Sequence, residues 1–228
     1  MIVIKNKGVR GFVRVTVPFV IAPMLAVMGT VVFHEKRHLI ISMAIAVFAL
    51  VLFYTGFETK TTGTRRMVIV AVMTALCFVG RFIPFLIPIT ALTIITAVYL
   101  GPESGFLVGS LAAVLSNFYF GQGPWTAFQM LAWGLIGLFA GVLAEPIRKS
   151  TLFRLAYGVI SGIAYSMIMD IWTTLWVHNT FRLRFYIAMM ISAIPHTVSY
   201  VVSNVVFLTL LFRPFGDKLG RIRTKYGL

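Results

Sequence analysis

Unbroken apolar runs constrain this chain more than any other feature of its sequence. Eight of them, at roughly 15–33, 39–57, 67–82, 89–101, 104–120, 125–144, 155–177 and 186–212, carry almost no charge. Several approach 20 residues, the length an α-helix needs to cross about 30 Å of hydrocarbon. A membrane β-barrel would alternate apolar and polar residues along each strand, and these runs do not. Only here does composition matter: 59% of the residues are hydrophobic and 11% charged, against about 25% charged in a soluble domain. The sequence therefore reads as an all-α membrane protein of eight spans.

The net charge of +14 lies in the connections. Of 20 Lys and Arg, 15 fall in residues 5–14, 60–66, 148–154 and 213–225, all on one side of the eight-span scheme. The other side holds Lys36, Arg37, Arg81, Arg182 and Arg184. The positive-inside rule places both termini in the cytoplasm and accounts for the basicity without a nucleic-acid partner. The first run lacks an A-x-A cleavage site and reads as a retained helix rather than a signal peptide. Cys77 stands alone in an apolar run, so neither a disulfide framework nor a cysteine metal cluster is expected. The polar stretch 57–66 divides the chain into an N-terminal two-helix extension, 1–64, and a core of six helices with a short cytoplasmic tail, 65–228.

The third and fourth runs are short for a bilayer, and Arg81 to Pro88 between them holds two prolines, which disfavour an uninterrupted helix. This connection faces outward and is apolar. Irregular backbone at membrane depth needs protein or a wet cavity over it, so an outward pocket is expected there, with Arg81 and Phe85 at its wall. Asp170 is the only carboxylate inside a run. At that depth it costs about 2.5–3.5 kcal/mol, so it receives hydrogen bonds from a ligand, pairs with Arg81, or does both. His196, after Pro195, either bonds a neighbouring helix or contacts a ligand. Asn117, Tyr119, Gln122, Trp125 and Gln129 surround a tight Gly121-Gln122-Gly123-Pro124 turn. Such a stretch is either an interfacial aromatic belt or the apolar wall and aimed amides of a small-molecule site. Trp172, Trp176, His178 and Asn179 repeat the pattern at the next outward loop. Small residues recur four apart at Ala71/Ala75, Gly105/Gly109, Gly137/Gly141 and Gly158/Gly162, spacing that lets membrane helices approach closely.

No P-loop, H-E-x-x-H or G-x-S-x-G motif occurs, and one buried acid does not make a paired-carboxylate centre. An intramembrane enzyme built on Asp170 and His196 and a standalone carrier are the readings from other classes.

The stretch Leu92–Leu143 carries a resemblance. Thr93, Thr96, Tyr99, Gly101 and Pro102 lead into Gly105, Gly109 and Ser116-Asn117-Phe118, then Gly121-Gln122-Gly123-Pro124-Trp125-Thr126 and Gln129, Trp133 and Gly134. It resembles the substrate-binding S component of an energy-coupling factor (ECF) vitamin transporter, most closely the cobalamin type. The resemblance implies a six-helix bundle in a prokaryotic cell membrane that captures a vitamin from outside and has no enzymatic activity. The pocket would be closed by 82–89, 118–125 and 177–186. It implies docking through Ala71 and Ala75 on a transmembrane coupling protein (EcfT) carried by two cytoplasmic ATPases (EcfA and EcfA'). ATP would bind those chains and no cofactor or metal this one. Riboflavin or a queuosine precursor suits the same pocket residues. The two N-terminal helices exceed the family's six.

Overall fold

The computed structural model describes residues 6–31, 38–54, 60–178 and 180–226, which are almost wholly helical, with no strand among them. Each apolar run forms one helix or one broken helix. The first begins earlier than its run: Asn6 accepts the Gly8 amide at 2.9 Å and caps α1 (Lys7–Thr16). A π-helical turn, Val17–Ile21, joins α1 to α2 (Ala22–Val31) and holds Pro18, which has no amide for the helical ladder. Next come α3 (His38–Tyr54), α4 (Lys60–Gly80), α5 (Ile89–Leu100), α6 (Pro102–Phe120), α7 (Trp125–Val142), the short α8 (Ala144–Lys149) and α9 (Thr151–His178).

The last run departs from a single 186–212 helix. It breaks at Ala193 into α10 (Leu183–Ser192) and α11 (Ile194–Tyr226), because Pro195 has no amide hydrogen to carry the ladder across. Beyond the run α11 continues helically through Pro214 and the basic tail. Among the described residues four helical stretches are long and apolar enough to cross a membrane: Gly8–Met28, Trp125–Val142, Thr151–His178 and Ile194–Tyr226.

Helix α5 is the hub. All its residues except Tyr99 are buried, and α4, α6, α7 and α11 surround it. At 12 residues it spans only about 18 Å. Trp133, two turns into α7, donates to Thr90 at the start of α5 (3.1 Å), so α5 begins well below the end of its neighbour. The space above it belongs to 81–88.

Glycines set the helix spacing. A Cβ on Gly105 would lie 2.7 Å from the Gly137 carbonyl oxygen, so α6 and α7 touch backbone to backbone. Gly162 meets the Val201 backbone of α11 in the same way, and Gly158 leaves room for the Leu208 side chain. The three glycine pairs are thus internal packing surfaces. Helices α2 and α3 lie against α6 and α7. At the opposite end of the bundle from 81–88, Arg14 of α1 pairs with Glu103 of α6 at 2.8 Å. Glu103 is only 6% exposed. Arg66 donates to the Leu100 carbonyl beside it, where Gly101 (φ 94°) takes the left-handed turn from α5 to α6.

Candidate outward-facing binding site

Two cavities open above α5, at the end that the charge balance predicts to face outward. The first, about 440 Å³, is walled by the 81–88 connection and by His196, Ser199, Tyr200 and Ser203 of α11. The second, about 340 Å³, lies between α7, α9, α10 and α11 and holds Gln129, Tyr165 and Asp170. His196 and Tyr200 line both. The two lobes share that wall, and each is near the small end of the roughly 300–1,000 Å³ usual for ligand pockets.

Serines hold the connection in place. The Ile87 amide donates to Ser203 Oγ and that hydroxyl donates to the Ile87 carbonyl, both at 2.8 Å. Ser199 donates to the Phe85 carbonyl at 3.0 Å. Phe85 sits at φ 65°, a left-handed conformation costing a non-glycine residue about 1–2 kcal/mol. Its side chain is 91% exposed. Beside it Phe82, Tyr119 and Phe120 form an aromatic cluster with centroids about 5 Å apart, and the Arg81 guanidinium lies over the Phe120 ring.

Behind the first lobe runs a buried polar relay. Arg81 Nη1 donates to Ser116 Oγ (2.7 Å) and Asn117 Oδ1 (2.6 Å). Asn117 Nδ2 donates to Thr126 (2.8 Å) and to Gln129 Oε1 (2.7 Å). Thr126 donates to Gln122 Oε1, and Gln122 Nε2 donates to the Val114 carbonyl. The relay thus fixes a side chain of each lobe: Arg81 in the first, Gln129 in the second.

The candidates named from sequence therefore divide. Arg81, Phe85 and His196 line the first lobe, and Gln129, Asp170 and His196 the second. Asn117 and Gln122 stand in the relay, and Tyr119 in the aromatic cluster. Trp125 meets Trp172 edge-on (5.8 Å), Trp172 stacks with Trp176 (6.3 Å), and His178 stacks on Phe185 (3.8 Å), forming an aromatic belt that lines neither lobe. Asn179 lies outside the described residues. The alternative pairing of Asp170 with Arg81 does not occur: α6 holds the Arg81 guanidinium at the first lobe while Asp170 opens on the second.

Sequence reasoning missed Tyr165, Ser199, Tyr200 and Ser203. A signal for the α11 set existed: His196, Ser199, Tyr200 and Ser203 fall at i, i+3, i+4 and i+7, one polar face in an apolar helix. On the outside of the bundle, Ala71 and Ala75 are exposed and line a shallow apolar groove of about 350 Å³ with Phe78, Leu111 and Leu115, between α4 and α6.

Residues 61–215, from the first turn of α4 into α11, match the family model described as ECF-type riboflavin transporter, S component. No curated protein and no solved structure matches the chain.

Proposed function

The chain belongs to the ECF-type riboflavin transporter S-component family, and from that premise we propose that it captures its vitamin in the two-lobed cavity above α5 and hands it inward through an ATPase-driven coupling module. S components are integral membrane subunits of transporters rather than enzymes, and membership implies a vitamin substrate and partner chains of the EcfT and EcfA type. The observation that carries the site is the convergence of Arg81, Gln129 and Asp170 on two adjoining cavities that share His196 and Tyr200 as a wall. Eight spans with both termini cytoplasmic, the first two added to a six-helix core, put that opening outside. The exposed Ala71/Ala75 groove is the docking face for the coupling protein, since small side chains let a partner helix approach closely.

The ligand is a corrinoid of the cobalamin type, spread over both lobes with His196 at their junction. The Thr93–Gly134 pattern supports it, and so do two lobes that share a wall. A second reading, riboflavin held in one lobe, is favoured by the matched family and by the size of each lobe taken singly. Purifying the full chain and recording the absorption of what co-purifies separates them. A red corrinoid spectrum supports the first and a yellow flavin spectrum the second. Uptake into proteoliposomes that proceeds without partner chains or ATP would refute the S-component mechanism.

A further inference from the structure

We propose that Asp170 selects the chemistry of the captured molecule: its carboxylate anchors an uncharged N–H donor of the ligand, an amide or imide, and repels a carboxylate at the same place. The inference rests on the two-lobed cavity being the vitamin site. Asp170 is 6% exposed and lines the second lobe. Among the described residues no donor reaches its side chain and no cation pairs with it.

The serine and threonine hydroxyls around Asp170 and that of Tyr186 are committed elsewhere, and the buried Tyr165 hydroxyl in the same lobe makes no bond to it. Thr174 and Thr173 donate back to the carbonyls of Asp170 and Met169, at 2.7 and 3.1 Å. Ser166 and Thr197 bond each other at 2.6 Å. Ser192 donates to the Met189 carbonyl, and Tyr186 to the Met167 carbonyl. The outward cation at this level, Arg81, is held by Ser116 and Asn117 in the other lobe. A buried acceptor of full charge with no protein donor is costly to keep, and a ligand that fills the lobe with a donor removes that cost. Gln129 complements it. Its Oε1 accepts from Asn117, which orients the amide, and of the two N–H on its Nε2 the neighbouring Tyr165 hydroxyl takes at most one, leaving an N–H for a ligand carbonyl in the same lobe. An acceptor in Asp170 and a donor in Gln129 together match the two halves of an amide or imide. A ligand carboxylate meets like charge at Asp170 instead.

Two probe pairs test this on the purified full chain by titration calorimetry: cyanocobalamin against its series of monocarboxylates, each with one peripheral amide hydrolysed, and riboflavin against 3-methylriboflavin, whose ring imide is capped. In whichever pair binds, the altered member loses about tenfold or more in affinity, the value of a hydrogen bond to a charged group. In the corrinoid arm, Asp170→Asn restores the affected monocarboxylate to within a few-fold of the parent. In the flavin arm, Asp170→Ala abolishes the discrimination by weakening riboflavin alone. Cys77 protection reports that each variant is folded. Binding of one pair with no discrimination, or discrimination unchanged in both variants, overturns the role of Asp170 and leaves the vitamin site standing. Binding of neither pair overturns both.

Discussion

Replacing Asn117 by Ala tests whether the relay behind the site, rather than direct contact, is what that residue contributes. Asn117 is 1% exposed and makes three side-chain bonds: one accepted from a guanidinium at 2.6 Å and two donated, to Thr126 and Gln129. A bond to a charged group is worth about 1.5–3 kcal/mol and a neutral one about 0.5–1.5 kcal/mol. Water in the open first lobe can replace the partner of Arg81, but Thr126 is fully buried and Gln129 nearly so. The three bonds sum to about 2.5–6 kcal/mol, and with water partly replacing the first the expected net loss is about 2.5–4 kcal/mol. The chain carries its own reporter, since Cys77 is its only cysteine and is fully buried, so a thiol-reactive fluorophore reads unfolding in detergent. At about 2–4 °C per kcal/mol for a chain of this size, Asn117→Ala lowers the melting temperature by on the order of 10 °C. Asn117→Asp keeps an acceptor for Arg81 and falls by less. Ligand affinity drops in Asn117→Ala because Gln129 loses its tether. A variant that melts within a degree of wild type would show that the relay bonds carry no net stability. One that melts lower but binds unchanged would show that the relay does not organise the site.

Gly105→Ala forces its Cβ against the Gly137 backbone and is expected to cost about 1–3 kcal/mol through α6–α7 separation, whereas Gly11→Ala, which meets nothing, leaves the Cys77 melting curve in place. Ala75→Trp fills the α4–α6 groove and blocks ATP-driven uptake in proteoliposomes holding the full complex, while calorimetry on the isolated chain shows unchanged ligand affinity; normal uptake would remove the groove from docking. Glu103→Gln removes the carboxylate charge that Arg14 pairs with and loosens the N-terminal helices from α6, seen as faster proteolysis ahead of α4 with little change in ligand affinity; protease resistance equal to wild type would show that apolar packing alone holds them.

Long apolar runs dictate helices whatever their neighbours, because in hydrocarbon each backbone amide has to bond within its own segment. That is why the helical class, the short fourth run and the irregular 81–88 connection were legible from residue order, whereas the third run, expected to be short, continues through the polar residues from Lys60 and makes α4 21 residues long. The glycine spacings were legible too, since a missing Cβ matters most where two backbones meet, and Gly105 and Gly137 meet. Which polar group finds which partner was not. Arg81 has Ser116, Asn117 and Asp170 as partners of comparable chemistry, and the rotation and depth of α4 against α6 decide for Asn117 and leave Asp170 open to the second lobe. Trp125 and Gln129 share a helix face by spacing, yet the Trp125–Trp172 contact joins the aromatic belt while Gln129 reaches the cavity, because Gln129 sits one turn deeper. Tyr165 and Tyr200 come from separate helices and touch at 4.6 Å only because Gly158 and Gly162 let α9 and α11 close together. Local order fixes what each segment becomes. The site consists of contacts between segments, and a shift of one helical turn, about 5.4 Å, would exchange every one of them.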